Sequence, residues 1–105
     1  MNAKEIATEI LCQLGGNRFI AMTGARQFSY FDDKGECGIC FRLPTRFAMN
    51  GINYVKIKLT WADTYEVTFF KVTGINIKTV VTHDNIYFDG LQDIFTQETG
   101  LNTRL

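Results

Sequence analysis

Residues 54 to 82 constrain the fold more than any other part of the chain. In "YVKIKLT", Val55, Ile57 and Leu59 alternate with Tyr54, Lys56, Lys58 and Thr60, the period of two expected of a strand with one buried and one wetted face. The turn "WAD" follows, then a second extended run "TYEVTFFKV", the turn "TGIN" and a third run "IKTVVTH". Connections this short join antiparallel neighbours, because a parallel pair needs a crossover of a dozen or more residues. The segment predicts a three-stranded antiparallel meander. Phe69 and Phe70 break its alternation and mark a place for a bulge.

The flanks supply the rest of the fold. Residues 3 to 14 set Ile6, Ile10, Leu11 and Leu14 on one helical stripe with Ala3 and Ala7 beside them, and Lys4, Glu5, Thr8 and Glu9 elsewhere. Asn2 is placed to cap the start, with Glu5 three residues on, and Gly15 to close the end. After this helix, "RFIAMTGA" reads as a strand ended by Gly24, "QFSYF" as another running into the turn "DDKG", and "ECGICFRL" as the returning strand closed by Pro44. A looser stretch, "PTRFAMNGIN", leads to the meander. Beyond it, Ile86, Tyr87, Leu91, Ile94 and Phe95 share a helical side. Asp84 or Asn85 would cap that helix, Gly100 with Leu101 would stop it, and Gly90 would lie in its interior.

The expected architecture is α+β: a mainly antiparallel sheet of five to six strands, with the N-terminal and C-terminal helices packed on one face. A chain of 105 residues holding nine Phe, four Tyr and one Trp has material for one core and little room for a second. Residues 1–105 therefore read as a single domain.

Charge narrows the function classes. Lys plus Arg and Asp plus Glu both number 11, so no overall field draws the chain to nucleic acid or an anionic membrane, and any attraction must be local. Charges at Lys4, Glu5 and Glu9 interrupt any apolar signal core at the start, and no run approaches the roughly 20 apolar residues of a membrane span. Three cysteines, an odd number, suit a reducing compartment better than a disulfide framework. The expectation is a cytoplasmic protein without a membrane partner.

The candidate chemical motifs mostly read as structure. "LGGNRFIAMTGAR" has paired glycines, but they follow a helix, and a phosphate loop instead leaves a strand and opens one; no Gly-Lys-Ser/Thr is present either. Cys37 and Cys40 have Cys-x-x-Cys spacing, yet on a strand a separation of three turns them to opposite faces. A zinc site would have only Cys12 and His83 to complete it. His83, the sole histidine, stands beside Asp84 in what reads as a strand-to-helix turn, with no nucleophile tied to it by a local motif. No catalytic residue, metal or cofactor is assigned, and the chain reads as non-enzymatic.

One constellation is left. If Val55, Ile57 and Leu59 face the helices, Tyr54, Lys56, Lys58 and Thr60 face away, and Arg42, Thr68 and Phe70 could join them from neighbouring strands. Aromatic rings interleaved with basic side chains make a platform for single-stranded nucleic acid. They equally make an interface for another protein or a second copy of the chain. With no net positive charge, the protein partner ranks first, and nucleic acid is the alternative. The segments "QLGGNRFIAMTGA", "NYVKIKL", "ADTYEVTFFKV" and "DNIYFDGLQDIFTQETGLNTRL" together resemble a set of small uncharacterised proteins encoded by bacteriophages and integrated mobile elements. That resemblance implies a product acting inside a bacterial host. It brings no activity or site residue with it, and Cys37, Cys40 and the "DDKGE" turn lie outside its pattern.

Overall fold

The computed structural model describes residues 2–103. One open sheet holds five strands, β1 (Arg26–Asp33), β2 (Glu36–Arg42), β3 (Tyr54–Leu59), β4 (Tyr65–Thr73) and β5 (Asn76–Ile86), lying side by side in chain order. Every neighbouring pair is antiparallel. Helices α1 (Ala3–Leu14) and α2 (Asn17–Thr23) precede the sheet and α3 (Leu91–Thr99) follows it. Ala7, Ile10, Leu14, Phe19, Leu91 and Phe95 from the helices form one buried cluster with Ile39, Phe41, Val55, Ile57, Val67 and Phe69 from the sheet. The α+β architecture with helices on one face is thus the one expected, and the strand number is five.

Helix α1 begins and ends where its sequence signals say. The Asn2 side chain accepts a hydrogen bond from the Glu5 N–H at 2.9 Å, satisfying one donor that the first turn leaves free. At the other end the Gly15 and Gly16 N–H groups bond to Cys12 and Leu11 carbonyls. Gln92 of α3 reaches the Leu14 carbonyl at 2.9 Å, which locks the two terminal helices together.

The segment after α1 corrects the sequence reading: "NRFIAMT" is helix α2, not a strand. Phe19 and Thr23, four residues apart, are its two buried positions, a helical spacing hidden inside a short apolar run whose period alone decides nothing. The Thr23 hydroxyl donates to the Phe19 carbonyl at 2.7 Å and accepts from the Ala25 N–H at 3.2 Å. Gly24, at φ 72°, closes the turn as left-handed glycines do. The paired glycines therefore join two helices, with α1 preceding them as expected. With seven residues and no side-chain cap, α2 gives no reason to revive a phosphate loop.

The closing segment also differs. Strand β5 continues to Ile86, opposite Tyr65, after a register shift with Asn85 at φ 56°. Asp84 and Asn85 therefore belong to a bulged strand and cap nothing. Gly90 is the residue before α3, not an interior one, so the cost of glycine within a helix does not arise. Gly100 ends α3 in the left-handed region, its N–H bonded to the Thr96 carbonyl. A second register shift falls at Phe69/Phe70, where the doubled phenylalanine predicted one; the extra residue is Val80 on the partner strand.

The core is aromatic at its centre. Phe19 meets Phe41 edge to face at 5.5 Å and Phe95 at 5.1 Å, and Phe69 completes the group 6.5 Å from Phe95. Rings at these separations and tilts attract beyond their area, and full burial of each contributes about 1.5–3 kcal/mol. At the margin, Asn53 does the work of a missing strand residue: its side-chain amide donates to the Val72 carbonyl at 2.8 Å, and its oxygen accepts from the Val72 N–H at 2.7 Å.

Candidate functional site

Among the described residues, the helices cover one face of the sheet. On the other, cross-strand register sets Phe31, Gly38 and Lys58 in one row, Cys40, Lys56 and Thr68 in a second, and Arg42, Tyr54 and Phe70 in a third. Between β1 and β5 this face forms a hollow of about 690 Å³, whose lining includes Phe31, Cys40, Arg42, Tyr54, Lys56 and Phe70. Of the residues singled out from sequence, Arg42, Tyr54, Lys56 and Phe70 come together there, while Thr68 shares the face without lining the hollow.

Lys58 is on the face but outside the hollow lining. Its ammonium lies 3.5 Å from Glu36 and 4.0 Å from Asp33, so its charge is already answered within the chain. Lys56 has a different neighbour, the Phe31 ring, at 4.9 Å, a cation–π distance. Gly38 makes room for that ring. A Cβ on Gly38 would lie 2.7 Å from Phe31 Cζ and would collide with the Ile57 carbonyl oxygen.

Tyr54 and Phe70 pack at 5.8 Å with a 48° tilt. Burial, then a hydrogen bond to Cys40, pushes the Tyr54 phenol up to about 12, against the opposing pull of Arg42. The hydroxyl therefore stays protonated above the pH at which an ordinary tyrosine ionises. Arg42 itself forms no ion pair among the described residues.

Sequence reasoning missed Phe31, Gln27, Val72 and Ile77, which also line the hollow. The β1–β2 hairpin was a usable signal for Phe31: with Lys34 at φ 55° and Gly35 at φ 89°, its two-residue turn fits type I′ and fixes Phe31 opposite Gly38. Ile77 follows from the "TGIN" turn, which pairs it with Val72.

The remaining motifs separate. Cys37 is buried on the helix side, where burial and then Asp32 raise its thiol pKa, while Cys40 is half-buried in the hollow. His83 is not in a turn: it sits within β5, and its Nε2 lies 2.7 Å from Glu98 of α3, a tie between sheet and helix. Among the described residues, no group of three or more His, Cys, Asp or Glu side chains is placed to hold a metal ion. Nor is any helix long and apolar enough to cross a membrane.

Fold and site together define the class as an α+β meander with one face sealed by helices and the other open around a mixed aromatic and basic hollow. No family model, curated protein or solved structure matches the chain.

Proposed function

We propose that the protein is a non-enzymatic binding module, that its working surface is the open sheet face, and that its partner is another protein. The supporting observation is the hollow that gathers Arg42, Tyr54, Lys56 and Phe70 on a face no part of the described chain covers. Half-exposed aromatic and arginine side chains are the residue types that dominate protein interfaces. Taken with the resemblance to phage and mobile-element products, this reading puts the partner among host or replication proteins in a bacterial cytoplasm.

Single-stranded nucleic acid is the second reading, favoured by the same rings and cations. Asp33, Glu36 and Glu66 share the face and weigh against it. A tagged pull-down from bacterial lysate, run with and without nuclease, separates the two. Capture of one defined protein despite nuclease, abolished by Tyr54→Ala with Phe70→Ala, is the expected result. Capture lost on nuclease treatment would transfer the function to nucleic acid, and capture indifferent to both substitutions would remove the face from either role.

A further inference from the structure

We propose that Arg42 and Lys56 form a seat for a single carboxylate on the floor of the hollow, delivered by an acidic side chain of the partner whose apolar neighbour packs on Tyr54, Phe70, Val72 and Ile77. This rests on the reading of the face as a protein-binding surface and names the chemistry it recognises.

The register makes the two residues neighbours at the backbone, with the Lys56 ammonium resting over the Phe31 ring at 4.9 Å. Arg42 stands opposite Tyr54 and Lys56 opposite Cys40, which makes Arg42 and Lys56 diagonal neighbours, roughly 7–8 Å apart at the backbone and both long enough to reach one anion. Each is half-buried. Among the described residues neither has a carboxylate within ion-pair distance, whereas Lys58 on the same face has two. A charge in a partly desolvated hollow gains more from a counter-ion than one in open water. Arginine adds a planar fork matched to a carboxylate.

The acids on the face decide what kind of anion fits. Asp32 and Asp33 wall one end of the hollow, and Glu36 and Glu66 lie on the same side of the sheet. A polyanion running across the strands would pass this acidic end, while one carboxylate held between Arg42 and Lys56 would not. Beside the seat, Val72 and its strand partner Ile77 form an apolar shelf, with Ile77 69% exposed. An acidic residue next to an apolar one matches both halves of the surface.

The test is a titration of the ¹⁵N-labelled full chain with N-acetyl-Glu-Phe amide, its Gln-Phe counterpart and oligo-dT at millimolar concentration. The Glu probe is expected to shift the amides of Arg42, Tyr54, Lys56, Phe70 and Val72. The Gln probe should bind about tenfold more weakly, as expected for loss of one charge-assisted contact, and Arg42→Gln should reduce the Glu probe to that level. Equal binding of the two peptides would overturn the seat while leaving the face a binding surface. Silence of the Glu probe, in a chain whose pulled-down partner still depends on Tyr54 and Phe70, would do the same. Stronger, salt-sensitive shifts with oligo-dT would overturn both the seat and the protein-binding reading. Concentration-dependent shifts of these amides without any probe would give the face to a second copy and overturn the seat.

Discussion

On the helix-covered side of the sheet Phe41, Val55, Ile57, Val67 and Phe69 are almost wholly buried, whereas on the other side of the same strands Arg42, Tyr54, Lys56 and Phe70 stay partly in contact with solvent. The first side gains its free energy from area and ring packing. The second is shaped by individual contacts: Phe31 over Gly38, Lys56 over Phe31, Tyr54 against Cys40 and Phe70, and Lys58 between Glu36 and Asp33. Substitutions on the two sides should therefore fail differently, the covered side losing stability and the open side losing shape or binding.

The largest effect is expected at the aromatic centre. Phe95→Ala leaves a cavity among Phe19, Phe41 and Phe69 and should cost about 3–5 kcal/mol, measured by urea unfolding. A value under about 1 kcal/mol would mean that the helices are not what holds the covered side. Gly38→Ala tests the open side for an exception, since its methyl would meet both the Ile57 carbonyl and the Phe31 ring. Overpacking of this kind costs about 1–3 kcal/mol, and the Phe31 resonances should move with it. Asn53→Ala removes both hydrogen bonds to Val72. It should cost about 1–2 kcal/mol and raise amide exchange at Val72.

Alkaline pH gives a smaller, signed test. The Tyr54 pKa rises from 10.0 to about 12 in the folded chain, so between those values the native state keeps a proton that the unfolded state has lost. Its contribution to stability is full below pH 10 and is lost as pH rises toward 12. Tyr65 and Cys37 are also raised, each chiefly by burial, and act in the same direction. Tyr54→Phe should flatten part of the fall, and an unchanged stability-versus-pH curve would argue against a desolvated Tyr54. Smallest of all, Arg42→Gln and Lys56→Gln should each change stability by no more than about 0.5 kcal/mol while altering binding. Thermal melts beside the peptide titration separate the two effects.

How much of this was legible depends on how far apart the partners are in the chain. The caps of α1 lie within a few residues of the groups they satisfy, so Asn2, Glu5 and Gly15 announced that helix. The meander announced itself through period two and short turns, and with it came the sides taken by Tyr54, Lys56 and Lys58. Segment 17–23 misleads because its four consecutive apolar positions, Phe19 to Met22, fit strand and helix equally. The C-terminal helix was started too early for a similar reason: Ile86 satisfies a helical stripe, but its actual partner is Tyr65, 21 positions back.

The sequence by itself determined the α+β class, the antiparallel order of the meander and the division of its residues between two faces, because those follow from local hydrogen-bond geometry and the two-residue repeat of a strand. Tertiary structure alone decided that "NRFIAMT" is helical, that His83 belongs to Glu98, that Lys58 is paired while no ion pair among the described residues holds Arg42 or Lys56, and that Phe31 completes the hollow. Each of those outcomes depends on side chains meeting across strands or between sheet and helix, where no local period reaches.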